Sequence, residues 1–186
     1  MTCDVLILPG LFNSGPHHWQ SLWHERHPEW RRAAHRDWTN PDRDEWVAEM
    51  EEAIAGCSGA PVLVAHSLAC MLVAHWALSG SPLKVAGAFL VAPSDVERPS
   101  FPIPAGNWAP VPRKPLPFPS MIVASTNDPY ASLERTQSFA DAWGSKLVDI
   151  GDAGHVTTDA GYGDWPEGVR LLDAFCAELT AQKESV

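Results

Sequence analysis

The ten residues Pro61-Val62-Leu63-Val64-Ala65-His66-Ser67-Leu68-Ala69-Cys70 constrain this chain more than any other segment. An apolar run of strand length ends in a serine set between small residues. Apolar positions then recur at helical spacing, at Leu68, Met71, Leu72 and Trp76. A serine on a sharp strand-to-helix turn stands above the end of its sheet, with the first free amides of the helix facing whatever its hydroxyl attacks. The fullest form of such a turn is G-x-S-x-G. Here alanines, Ala65 and Ala69, occupy both glycine positions. The turn therefore needs support from the rest of the chain.

That support begins with the alternation of elements. Asp4-Val5-Leu6-Ile7-Leu8 reads as a buried strand closed by Pro9-Gly10. Pro16 to about His27 places Trp19, Leu22 and Trp23 on one helical face, and Ala33 to Arg36 suggests a short second strand. Trp46, Val47, Met50 and Ile54 recur at helical spacing after the start signal Asn40-Pro41-Asp42. The serine's strand, Val62 to Ala65, precedes a helix to about Leu78. Further strands are expected at Val85–Val91, Met121–Ser125 and Lys146–Ile150. Helices are expected near Ala131–Trp143 and along Leu171, Leu172, Phe175 and Leu179. Strands apolar along their whole length, alternating with helices, predict an α/β fold: about six mostly parallel strands with helices on both faces.

The length suits one domain over residues 1–186. One stretch breaks the pattern. Eight prolines between Pro99 and Pro119 exclude a regular helix or a central strand. Its Phe101, Ile103, Trp108 and Phe118 predict an ordered loop, about residues 95–119, packed over the domain. Such a loop either borders a site or merely connects. A net charge of −10 argues against nucleic acid or anionic membrane as partners, since both call for basic patches. Cys3, Cys57, Cys70 and Cys176 are scattered, with no C-x-x-C pair, and Cys3 and Cys70 lie in apolar runs and read as buried thiols. That usage fits a reducing cytoplasm. No basic segment leads into an apolar one at the start, and no apolar run reaches the ~18 residues of a membrane span.

A serine hydroxyl needs a base to take its proton, and a carboxylate to hold that base in the right tautomer. Met121-Ile122-Val123-Ala124-Ser125-Thr126-Asn127-Asp128 is an apolar strand running into an acid. Leu147-Val148-Asp149-Ile150-Gly151-Asp152-Ala153-Gly154-His155 is a strand whose glycine-bearing loop presents a histidine. Asp before Pro is common in turns, and Gly-His is a weak dipeptide. The order Ser67, Asp128, His155, each after its own strand, carries more weight than any member alone. The loop Leu8-Pro9-Gly10-Leu11-Phe12-Asn13 lies at the end of a central strand. The backbone amides of Leu11 and Leu68 are candidate donors to an oxyanion. The other reading of this loop is a tight turn whose glycines only permit positive φ.

His17, His18, His24 and His27 cluster, but no H-E-x-x-H occurs and no cysteine is placed to help, so a metal site is not expected. His17 or His18 is expected to line the oxyanion loop. His66 should point away from the serine hydroxyl. Trp38, Trp108 and Trp165 fall in expected loops and are candidates for a pocket wall. Tyr130, beside the acid, could pack against the triad.

With these residues in view, the chain resembles the small YdeN-like serine hydrolases, the group that includes retinoblastoma-binding protein 9. The resemblance rests on Pro9-Gly10 followed by His18-Trp19, on Asp37-Trp38, on Val64-Ala65-His66-Ser67-Leu68 and on Val91-Ala92-Pro93. It continues through Ser125-Thr126-Asn127-Asp128-Pro129-Tyr130 and through Gly154-His155 with Gly161-Tyr162-Gly163-Asp164-Trp165-Pro166. It implies a compact α/β-hydrolase fold without a large cap, a Ser67-Asp128-His155 triad and no cofactor. Two positions depart from the family pattern. Ala69 replaces a common glycine, and Val156-Thr157 replaces a frequent Ile-Asn. The expected activity is cleavage of small carboxylic esters through an acyl-enzyme. The alternative, motivated by the doubled alanines, is a catalytically weak domain that binds a protein partner.

Overall fold

The computed structural model describes residues 3–184. Among the described residues six strands alternate with five helices, except between the fourth and fifth strands, which the proline-rich segment joins: β1 (Val5–Leu8), α1 (Trp19–Arg26), β2 (Arg31–Arg32), α2 (Arg43–Ala55), β3 (Val62–His66), α3 (Leu68–Ala77), β4 (Gly87–Val91), β5 (Ser120–Ala124), α4 (Leu133–Trp143), β6 (Lys146–Asp149) and α5 (Pro166–Glu184). They form one sheet in the order β2-β1-β3-β4-β5-β6. Every pairing is parallel. This is the α/β-hydrolase arrangement.

Side chains of a strand alternate between its two faces, so each strand feeds two cores. Leu6, Leu8, Leu63 and Ala65 pack under α2, α3 and α4, against Trp46, Met50, Leu72 and Phe139. Val5, Ile7, Val62 and Val64 pack on the opposite face against Trp19 and Trp23 of α1 and Leu172 and Phe175 of α5. A sheet covered on both sides needs strands that are apolar at every position. The four residues of β1 and all five of β3 are indeed buried. The helix starts follow their local chemistry. Asp42 caps α2 by accepting from the amides of Asp44 and Glu45, and Ser132 caps α4 by accepting from Arg135.

The elements differ from the sequence expectation mainly at their edges. The second strand is Arg31–Arg32 rather than Ala33–Arg36, and it pairs with Leu6 and Ile7 at the sheet margin. Only two residues make ladder contacts there, too few to leave an alternating pattern. Cys3 is half-buried, not buried, while Cys70 is fully enclosed. The proline-rich segment is ordered, with a short 3-10 turn at Gly106–Trp108. Among the described residues, no helix is long and apolar enough to cross a membrane. All the parallel strands end on one side of the sheet, and there the loops after β1, β3, β4, β5 and β6 converge.

Candidate active site

Ser67 stands between β3 and α3 with φ 60° and ψ −123°. That backbone region is costly for a side-chain-bearing residue and persists only where the surroundings enforce it. The strand ladder fixes one side, since the Ser67 amide donates to Val91 O. The closest backbone approach to the elbow comes from Gly10. A Cβ built on Gly10 would lie 2.7 Å from His66 O and 2.9 Å from Ser67 Cβ. The loop after β1 therefore rests directly on the elbow, and only glycine fits at the contact. Ala65 and Ala69 are both fully buried in the first core. Cys70, next on the helix, is held as a protonated thiol because burial pushes its pKa well up.

Asp128 and His155 arrive from the two neighbouring loops. His155 Nδ1 lies 3.0 and 2.9 Å from the two Asp128 carboxylate oxygens, and its Nε2 lies 2.8 Å from Ser67 Oγ. Asp128 Oδ1 also accepts the Tyr130 amide at 2.8 Å. A carboxylate can only accept, so Nδ1 carries the proton and Nε2 is left bare towards the serine. The loops are braced to each other. Asn127 Oδ1 accepts from the Gly154 amide at 2.6 Å and from the Ser125 hydroxyl at 2.9 Å. Ser125 Oγ in turn accepts from the Ala153 amide. The Trp19 indole N–H donates to Val156 O from below.

The loop after β1 forms the facing wall. Phe12 N–H donates to Trp38 O and Asn13 N–H to Gly10 O, which leaves the Leu11 amide between them. Phe12 and Asn13 both hold positive φ. Leu68 is the first residue of α3, so its amide has no partner within the helix. Buried Gln20 ties this wall to the sheet. Its Nε2 donates to Leu8 O and Val64 O, and its Oε1 accepts from the Ser14 hydroxyl. His18 caps α1 through Nδ1, which accepts from the Gln20 amide. Burial, then the charges of Arg32 and His155, push the His18 pKa down to about 4, so the ring is neutral. Its Nε2 is buried without a partner.

These groups surround a cavity of about 450 Å³. Ser67, His155, Leu11, His18 and Tyr130 are among the residues that line it. The Tyr130 ring meets the His155 ring edge-on at 4.5 Å. Three expected wall residues are elsewhere. Trp108 is buried in the first core, with its indole N–H on Pro41 O and its ring against Trp46. Trp38 packs edge-on against the same Trp46. Trp165 is buried beside Trp19 and stacked on Trp23. A Cβ on Gly168 would lie 2.3 Å from the Trp165 ring, so the bare helix surface there is what seats it. Phe101 and Pro102 alone bring the proline-rich loop to the cavity.

Three residues that the sequence reading passed over matter here. Ser94, fully buried, lies 2.8 Å from Ser67 Oγ. Asn127 and Gln20 brace the loops as described. His66 does sit off the nucleophile hydroxyl, but it is not idle. Its Nε2 lies 2.9 Å from His155 O, and burial holds its pKa well below the usual range, so it donates to that carbonyl as a neutral ring. Its presence before the serine was a visible signal. The other three are marked only by contacts between distant segments. Of the clustered histidines, His24 Nε2 meets Trp30 O, and His27 pairs with Glu29. Among the described residues, no group of three His, Cys, Asp or Glu side chains could hold a metal.

The family model described as Serine hydrolase matches residues 5–174. No match to a curated protein was found. Among solved structures, a Pectobacterium atrosepticum protein described as a YdeN-like hydrolase is 36% identical, with TM-score 0.85, over 95% of this chain and 91% of its own. The YdeN product of Bacillus subtilis shares the fold at TM-score 0.77 and 17% identity, over 95% of this chain and 100% of its own. A thermophilic esterase of Thermogutta terrifontis shares it at TM-score 0.66 and 15% identity, over 96% and 91% of the two chains.

Proposed function

The chain belongs to the serine hydrolase family, and from that premise we propose that it hydrolyses small carboxylic esters through an acyl-enzyme on Ser67. One observation carries the reading: the unbroken relay from Asp128 through His155 to Ser67 Oγ, with contacts of 2.9 and 2.8 Å. Ser67 Oγ attacks the ester carbonyl as its proton passes to His155 Nε2. Asp128 holds the ring and stabilises the imidazolium. The Leu11 and Leu68 amides receive the oxyanion. The tetrahedral adduct collapses, the alkoxy group leaves with the proton from His155, and Ser67 is acylated. Water then gives its proton to His155, attacks the acyl carbonyl and releases the acid, and the proton returns to Ser67.

The cavity volume of about 450 Å³ supports small substrates. Phe12, Phe101 and Pro102 give its lining an apolar part and Asp159 an acidic group, which supports a neutral acyl or alkyl group over an anionic one. The unpaired thiols of Cys3, Cys57, Cys70 and Cys176 fit work in a reducing compartment such as the cytoplasm. The test is Ser67→Ala assayed on p-nitrophenyl acetate. Turnover is expected to fall by about 10⁴-fold or more. Undiminished turnover by a pure sample would overturn the assignment of the nucleophile.

A further inference from the structure

We propose that Ser94 is a positioning residue: its hydroxyl donates to Ser67 Oγ and so keeps the nucleophile's own proton directed at His155 Nε2. This rests on the catalytic reading above. The direction of each bond follows from counting protons. Asp128 accepts from His155 Nδ1, so Nε2 has no hydrogen and must accept from Ser67 at 2.8 Å. The single Ser67 proton is then committed. The 2.8 Å contact between the two hydroxyls can only run from Ser94 to Ser67.

The position of Ser94 is fixed from both sides. After β4 the Ala92 amide donates to Val123 O, and the Asp95 amide donates to Tyr130 O. The first ties the segment to the acid's strand and the second to the acid's loop. Ser94 is fully buried between these anchors, so its hydroxyl has little freedom to turn away. Ser67 Oγ keeps one lone pair for attack while the other takes the Ser94 hydrogen. That hydrogen also stabilises the negative charge that gathers on Oγ as its proton leaves. In deacylation His155 takes its proton from water and Ser67 Oγ is the leaving group, so Ser94 has no part in the attack of water and acts only on the later expulsion of Oγ.

The prediction is therefore a selective loss. In Ser94→Ala, phosphonylation of Ser67 by a fluorophosphonate and the burst rate on p-nitrophenyl acetate should both fall about tenfold, the rate equivalent of one hydrogen bond. The deacylation rate, read from steady-state turnover after the burst, should change less than about twofold, with KM for acylation little altered. Ser94→Cys, nearly isosteric with a weaker donor, should label at an intermediate rate and covers the case in which the alanine variant folds poorly. Labelling of either variant at the wild-type rate would overturn the proposal. So would equal losses in acylation and deacylation, which mark general disorder of the site. An active Ser67→Ala protein would instead sink the catalytic reading beneath it.

Discussion

Around His155 the polar atoms are paired: Asp128 on one ring nitrogen, Ser67 on the other, His66 on the backbone carbonyl, and Asn127 on the neighbouring Gly154 amide. The opposite wall, from Gly10 to His18, is built differently. It holds an exposed Phe12 and a buried His18 nitrogen with no partner. On the proposed function the contrast follows from what each wall would handle. Proton transfer needs one tautomer and one rotamer, and saturated hydrogen bonding supplies both. A substrate wall must offer unpaired donors and adaptable surface until something binds. The cost of leaving groups unpaired is concentrated on the side that meets the substrate.

The largest blow to the paired side is Asp128→Asn. The amide can present its NH₂ to His155 Nδ1 and so favour the wrong tautomer. Turnover should fall by about 10⁴-fold with little change in melting temperature, measured on p-nitrophenyl acetate and by thermal denaturation. A loss under tenfold would break the claim that the relay fixes the tautomer. On the facing wall, Gly10→Ala drives a methyl into His66 O and Ser67 Cβ, so the loop must retreat with the Leu11 amide. The expected loss is about 10²-fold in kcat and about 2 kcal/mol in stability, read by kinetics and urea unfolding.

His18 tests the unpaired side by pH. Its folded pKa of about 4 lies below the ordinary 6.5. Between those values the unfolded chain takes up a proton that the folded chain refuses. Its contribution is complete above pH 6.5 and is lost as pH falls towards 4, by about 3 kcal/mol. His18→Asn keeps an N-cap acceptor for the Gln20 amide but does not titrate. Urea unfolding at pH 7 and pH 4 should show the wild type losing about 3 kcal/mol more than the variant. Equal losses would remove His18 from the account. The smallest effect is expected at Phe12, 59% exposed on the rim. Phe12→Ala should lower kcat/KM for butyryl esters about two- to fivefold and leave acetyl esters unchanged, in a graded ester panel.

The paired side was the more legible in the sequence, and the reason is local. An apolar strand followed by a polar residue announces itself within ten positions, as at Ser67, Asp128 and His155. The facing wall was legible in its backbone, through Pro9-Gly10-Leu11, but not in its side chains. Trp38, Trp108 and Trp165 were expected at a pocket because they fall in loops, yet each is claimed by other tryptophans, the first two by Trp46 and the third by Trp19 and Trp23. Gln20 and Ser94 could not be read at all. A glutamine on a helix and a serine after Pro93 acquire meaning only when β1, β3 and β4 lie side by side. The Ala65 and Ala69 substitutions, which looked like damage, sit in the core without displacing the elbow, because the crowded contact falls on Gly10.

The strand order β2-β1-β3-β4-β5-β6 has a further consequence in time. Ser67, Ser94, Asp128 and His155 leave the ribosome in that order, and the segment from Val5 to His155 must be complete before they can meet. The contact of His155 with Ser67 can therefore form only after β6 has emerged and paired with β5, because the loop after β6 carries His155.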